Sequence, residues 1–244
     1  MIPKVIHYCW FGRGELPDLA KMCIASWRKY MPDYEIIEWN EDNFDVNMIE
    51  FTRLAYAEKL YAFVSDFARF WVLYKFGGVY FDTDVEVLKD MEPIIAQGPY
   101  MGCENYASEG NDLRVAAGLG IACEAQNEVY ADIIQLYKDT PFVKNQRGNY
   151  PTIVRLITKF FEDRGLKQVN KVQEVDGIKI YPADYFASRE TAQDIIPRTE
   201  NSYTVHHYMG SWYTKKNKLK LKLLSFMPLK VVRWLTSLKS YLKK

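Results

Sequence analysis

Two hydrophobic periods alternate along the chain. The run Lys4-Val5-Ile6-His7-Tyr8-Cys9-Trp10-Phe11 is mostly apolar and stops at Gly12 and Gly14, the pattern of a buried first strand entering a loop. Residues 17–30 carry helical spacing, and 34–39 (Tyr-Glu-Ile-Ile-Glu-Trp) read as a second strand. The stretch 57–75 is the longest helix candidate of the body. It is apolar almost all round, through Leu60, Phe63, Val64, Phe67, Phe70 and Trp71, which predicts a helix inside the fold. Gly77-Gly78 supplies its C-cap and a tight turn. Val79-Tyr80-Phe81 follows as a central strand running straight into Asp82-Thr83-Asp84. Beyond it lie short strand or loop candidates at 98–104, 118–123, 179–182 and 203–207, with helices near 126–139 and 151–163. Helix and strand in alternation predict an α/β layered domain over residues 1–214.

Composition sharpens this picture at one place. The 244 residues carry a formal net charge of only +1, yet the last 30 hold nine lysines, Arg233 and no acid, so the body is acidic and the tail basic. In 215–244 the residues Val231, Trp234, Leu235, Leu238, Tyr241 and Leu242 recur three and four apart, with Lys230, Arg233, Lys239 and Lys243 largely off that stripe. This is the pattern of an interfacial helix on an anionic membrane surface; the alternative is a C-terminal helix docked on its own domain. The acidic body argues against a nucleic-acid partner. No run of about 18 uncharged apolar residues predicts a membrane span. The first residues lack the basic and long apolar regions of a secretory signal, and the four cysteines have neither C-x-x-C nor metal-finger spacing. A cytoplasmic protein, peripherally held at the inner face of the cell membrane, is the expectation.

Asp82 and Asp84 are the sharpest chemical feature. In an extended segment, residues i and i+2 point to one face, so both carboxylates would project together from the end of an apolar strand. Ligands of open α/β sheets gather at such strand ends. Two adjacent like charges favour a cation beside them, and hard oxygen donors suit Mn²⁺ or Mg²⁺. An EF-hand does not fit, because Val87 and Pro93 fall where Gly and Glu are required. Asp66 and Arg69, three apart on the apolar helix, share a face and need partners, either each other or a ligand. His206 and His207 end a strand-like run; adjacent strand residues face opposite sides, so one of them would reach a given metal. Trp10 ends the first strand, where an aromatic ring can stack on a nucleobase.

Ile6-His7-Tyr8-Cys9-Trp10-Phe11-Gly12, Ser65-Asp66-Phe67-Ala68-Arg69, Gly77-Gly78-Val79-Tyr80-Phe81-Asp82-Thr83-Asp84 and His206-His207-Tyr208-Met209-Gly210-Ser211-Trp212 together resemble family 32 glycosyltransferases. That family includes bacterial capsule and polysaccharide enzymes and yeast-type mannosyltransferases, and is related to the clostridial glucosylating toxins. The resemblance implies a GT-A fold, Rossmann-like with a mostly parallel central sheet, and metal-dependent retaining transfer of a hexose from a nucleotide-diphosphate sugar. By the same resemblance Trp10 stacks on the base, favouring a UDP-sugar, with GDP-mannose open. Asp66 and Arg69 contact the donor sugar, Asp82 and Asp84 the metal and diphosphate, His207 the metal, and Ser211 and Trp212 the diphosphate. Asn40 and Tyr80 complete the expected donor-binding set. Ala116-Ala117-Gly118-Leu119 departs from the family pattern, which usually writes Asn there. The expected acceptor is a saccharide, lipid-linked at the cytoplasmic leaflet, in capsule or similar polysaccharide biosynthesis. Two alternatives share these residues. One is a haloacid-dehalogenase-type phosphatase with Asp82 as nucleophile, although no downstream acidic pair follows. The other is a non-catalytic carbohydrate- or membrane-binding protein of the same fold.

Overall fold

A computed structural model of the protein describes residues 1–144, 150, 152–190 and 195–209. Strand β1 (Val5–Cys9) leads into α1 (Asp18–Tyr30) and β2 (Glu35–Trp39), after which α2 (Glu50–Ala57) and α3 (Tyr61–Phe76) precede β3 (Gly78–Tyr80). Next come β4 (Val85–Val87), α4 (Glu92–Ile95), β5 (Tyr100–Cys103), β6 (Val115–Ala116) and β7 (Ile121–Cys123). The second half adds α5 (Glu128–Asp139), α6 (Ile153–Glu162), β8 (Gln173–Val175), β9 (Ile178–Tyr181) and α7 (Ala183–Phe186). The small pair β10 (Arg189–Glu190) and β11 (Ile195–Ile196) and the strand β12 (Thr204–His206) close the described chain.

The central sheet has eight strands in the order β2-β1-β3-β7-β5-β9-β8, with β6 on β5. Strands β1, β2 and β3 pair in parallel, and β5 pairs in parallel with β9, while β7 runs antiparallel to both β3 and β5. With β6 and β8 antiparallel to their neighbours, β1, β2, β3, β5 and β9 share one direction, so the sheet is mixed but mostly parallel. Both faces are covered. Tyr80 and Met101 enter one core with Phe67, Phe70, Tyr130 and Ile157 of α3, α5 and α6. Val79, Phe81 and Tyr100 enter the other with Ile24, Trp27, Ile94 and Phe186 of α1, α4 and α7. A strand buried on both sides has no polar face, which is why these strands read as unbroken apolar runs.

The helix expected over 57–75 is α3, which starts four residues later than expected, and the separate α2 before it was not anticipated. The chain breaks after Ala57, where Lys59 takes a φ of 59°, and α3 starts at Tyr61. α3 ends as expected at Gly77 (φ 66°), whose N–H bonds to the Leu73 carbonyl. Gly78 follows at φ 102°, and a Cβ there would lie 2.6 Å from the Val5 carbonyl oxygen, so this close strand approach needs glycine. Asp82 to Asp84 are not a continuation of β3: Thr83 and Asp84 form a turn, with the Val85 N–H bonded to the Asp82 carbonyl at 3.0 Å. The chain then enters β4, which pairs antiparallel with β12 in a separate ribbon, His206 opposite Val85. Trp27 of α1 fastens that ribbon to the body by donating to the Val85 carbonyl at 2.8 Å. Ser211, Trp212 and the basic stretch 215–244 lie outside the described residues.

Candidate active site

The parallel strands β1, β2, β3 and β5 all end on one edge of the sheet, and the charged residues of the sequence meet there. Arg69 projects from α3 and is 3% exposed. Its Nη2 reaches Asp66 Oδ1 at 2.9 Å and Asp82 Oδ1 at 3.0 Å, and its Nε donates to the Ser65 carbonyl. A buried guanidinium needs such partners, since burying it alone would cost several kcal/mol. The Tyr80 hydroxyl donates to the same Asp82 oxygen at 3.0 Å, and Arg69 stands 5.1 Å above the Tyr80 ring. Tyr80, expected to bind the donor, is 1% exposed and spends its hydroxyl on Asp82: it holds the carboxylate instead of facing a ligand.

Asp82 is also confined from behind. Its N–H bonds to the Gly118 carbonyl, and a Cβ on Gly118 would lie 2.1 Å from Asp82 Oδ2. Gly118 has an ordinary φ, so its requirement is purely steric. The departure from pattern at 116–119 thus includes a residue on which the site depends.

Asp84 lies one turn residue further on, 9% exposed. Its Oδ1 meets His206 Nε2 at 3.0 Å and its Oδ2 accepts the Met209 N–H at 2.8 Å. Asp82, Asp84 and His206 each offer a ligand atom, all within 4.8 Å of one another. The turn brings the two carboxylates together, and the β4–β12 register brings the imidazole; the extended i, i+2 geometry expected from the sequence is not what does it. His207, expected on the metal, turns to the other side of the ribbon and meets Glu86 Oε2 at 2.9 Å. The structure therefore gathers His206, and not His207, with the aspartates.

Electrostatics differ among the carboxylates. Burial raises the Asp66 pKa to about 7 despite Arg69, with the nearby Asp82 charge adding to the rise. Burial also raises Asp82, against the pull of Arg69. Asp84 moves the other way: burial would raise it, but the His206 charge and hydrogen bonds from His206 and Met209 hold it below the usual carboxylate range. His206 is lifted above its ordinary value, Asp84 outweighing the cost of burial. Two carboxylates of unequal basicity and an imidazole are a donor set that fits Mn²⁺ or Mg²⁺. His206 Nδ1 is buried with no hydrogen-bond partner among the described residues.

Trp10 ends β1 on the same edge, half-buried, its indole N–H donating to the Gly14 carbonyl at 2.6 Å. Its backbone N–H bonds to the Trp39 carbonyl, which sets Asn40 beside it at the end of β2. The Asn40 amide is engaged within that loop, donating to Glu38 and accepting the Asp42 N–H. Trp10 is thus held at the strand edge by its indole and backbone bonds, whereas Asn40 presents a side chain with partners of its own.

Residues 17–101 match the family described as "Glycosyltransferase sugar-binding region containing DXD motif", a span that holds Asp66, Arg69, Asp82 and Asp84. Over 102 residues the chain is 32% identical to inositol phosphoceramide mannosyltransferase 3 of Schizosaccharomyces pombe, covering 38% of this chain and 27% of that protein. Over 111 residues it is 28% identical to inositol phosphoceramide mannosyltransferase 1 of the same yeast, covering 41% and 33%. The matches thus span a third or less of these relatives' own length. Among solved structures, a glycosyltransferase involved in the glycosylation of the major capsid of PBCV-1 is similar in fold. It has a TM-score of 0.52 at 11% identity, over 91% of this chain and 100% of that one. The fold is thus the GT-A fold, and residues 17–101 are similar to the DXD sugar-binding region of glycosyltransferases.

Proposed function

We propose that the protein transfers a hexose from a nucleotide-diphosphate sugar to a saccharide acceptor, with retention and with a divalent cation. The observation that carries this reading is the meeting of Asp82, Asp84 and His206 at the carboxyl edge of the sheet, with both aspartates in the span that matches a DXD sugar-binding region. These three side chains would hold the cation, which when bound supplies charge neutralisation for the departing diphosphate. Arg69, fixed by two carboxylates, would present its remaining N–H groups toward the donor sugar, with Asp66 beside it to accept from sugar hydroxyls. Trp10 would stack on the base, and uracil is the favoured base.

No carboxylate in the cluster stands free as a nucleophile, because each is committed to Arg69, Tyr80, His206 or Met209. Front-face attack follows: the acceptor hydroxyl forms the new bond on the face the diphosphate leaves, and its proton passes to a departing phosphate oxygen. Anomeric NMR of the product tests this, and an inverted product overturns it. The yeast relatives are named for inositol phosphoceramide, a phosphate-bearing lipid, and the acceptor here is taken to be lipid-linked and phosphate-bearing as well. The basic stretch 215–244 would bring the enzyme to the anionic inner face of the membrane, in a capsule or related polysaccharide pathway. The deciding assay is Mn²⁺-dependent hydrolysis of UDP- and GDP-sugars. The reading expects turnover with at least one donor, abolished by Asp84→Ala; no turnover with any donor favours a non-catalytic carbohydrate-binding protein.

A further inference from the structure

Beside the aspartate–histidine cluster the chain builds a second group of charges that the donor chemistry does not use. Between β5 and β6 the chain makes an excursion, residues 104–114, at the same edge of the sheet. Its base continues the β5–β6 ladder, the Glu104 N–H bonding to the Arg114 carbonyl at 2.8 Å. Buried Asn105 pins it from inside, donating to the Asp112 carbonyl and accepting the Arg114 N–H. Gln168 and Asn170 clamp it from outside through Leu113 and Ala107. Arg114 is thus carried on a braced segment, four residues before Gly118, which touches Asp82.

The Arg114 side chain is oriented by one contact: its Nε meets Glu104 Oε1 at 2.8 Å. That side-on pairing leaves the two terminal nitrogens of the guanidinium with no partner among the described residues, on a side chain 44% exposed. Arg189 reaches the group from the other side, its Nη1 donating to the Glu104 carbonyl and to the Tyr208 hydroxyl, each at 2.8 Å. The Tyr208 ring packs on His206 at 4.0 Å between centroids, so the group abuts the cluster directly. Arg114 and Arg189 thus flank Glu104 beside Tyr208.

We propose that Arg114, held by Glu104 and backed by Arg189, binds a phosphate group of the acceptor, next to and separate from the place of the donor diphosphate. The proposal deepens the transferase reading and rests on it for the acceptor's place in the cleft. A guanidinium with two free, coplanar donors matches two phosphate oxygens, and a carboxylate behind it fixes the plane without neutralising the opposite edge. The site would select phosphorylated acceptors over neutral ones.

Titration calorimetry on the full chain, saturated with Mn²⁺ and UDP or GDP, tests it with two probes, myo-inositol 1-phosphate and myo-inositol. The phosphate probe is expected to bind at least about tenfold tighter, a charge-assisted bidentate preference that Arg114→Gln removes while binding of neutral inositol is unchanged. Glu104→Gln is expected to reduce the preference in part, since Arg114 loses its brace. Equal binding of the two probes by the native chain overturns the proposal, as does a phosphate preference that survives in Arg114→Gln. Phosphate binding seen only when the nucleotide is absent assigns the anion site to the donor diphosphate and overturns it equally. Donor hydrolysis by the native chain reads the transferase reading separately, so the two can fail independently.

Discussion

At the scale of single residues the site depends on how tightly Asp82 is held. One of its oxygens takes both Arg69 and Tyr80, and the other faces Gly118 with no room for a methyl group. Gly118→Ala should therefore push the carboxylate off its position and lower Mn²⁺ affinity by about tenfold or more, the usual scale for a disturbed metal surround. Gly14→Ala, with nothing within 4 Å of the new methyl and no positive φ, is the matched control and should leave affinity unchanged in the same titration. Arg69→Met leaves Asp66 and Asp82 buried without their counter-charge. It should cost about 3–5 kcal/mol in denaturant unfolding, the scale of breaking a buried pair from one side. Part of this was legible beforehand. Charges on an apolar helix had to find partners, so Asp66, Arg69 and Asp82 declared themselves. The role of Gly118 was not legible, because a glycine after two alanines carries no local turn signal; only the distance across the sheet reveals the need. The choice of His206 over His207 was equally hidden, since alternation says that adjacent residues face apart but not which of them faces in. That depends on the register of β12 on β4, set by a pairing about 120 residues apart.

At the scale of elements, the joint between α3 and β3 has a titratable part. His7 of β1 is 1% exposed, its Nε2 bonded to the Gly77 carbonyl and its Nδ1 accepting from the Trp39 indole. Those two bonds require the neutral ring, and burial lowers the pKa to about 4, against the hydrogen bond to Gly77 that raises it. Between pH 6.5 and 4 the unfolded chain then binds a proton that the folded chain refuses. Stability from this group is present above pH 6.5 and is lost as pH falls toward 4, by up to about 3 kcal/mol. Urea unfolding at pH 7 and pH 4.5 checks this: native protein should lose more stability than His7→Gln, and equal losses would contradict it. The apolar runs of β1, β3, β5 and β7 made the sheet readable, because strands covered on both faces carry no polar interruptions. The start of α3 was less readable. Ala57 and Leu60 extend its apolar pattern backwards, and Lys59 at positive φ is neither glycine nor asparagine, so no residue marks the turn. The turn at Thr83-Asp84 was misread as strand because a short acidic segment after a β-run fits both.

At the scale of the whole molecule, the sequence sets an acidic body against a basic C-terminal stretch, and the proposed function gives them different jobs. Among the described residues no helix is long and apolar enough to cross a membrane, and the attachment proposed above rests on the charged stripe of 215–244 alone. Deleting 215–244 should release the protein from anionic liposomes in a flotation assay while donor hydrolysis continues; unchanged flotation would refute the interfacial role. The body itself is built so that four of its five co-directed strands deliver Trp10, Asn40, Asp82 and Glu104 to one edge, where a ribbon folded from 122 residues away adds His206. Stripping divalent ions with EDTA should stop donor hydrolysis, and Mn²⁺ should restore it. The central claim is most directly tested by diffraction from crystals grown with Mn²⁺ and UDP, using anomalous scattering from manganese. The account predicts one strong peak within bonding distance of carboxylate oxygens of Asp82 and Asp84 and of an imidazole nitrogen of His206. A peak on His207 and Glu86, or none between the two aspartates, would contradict it.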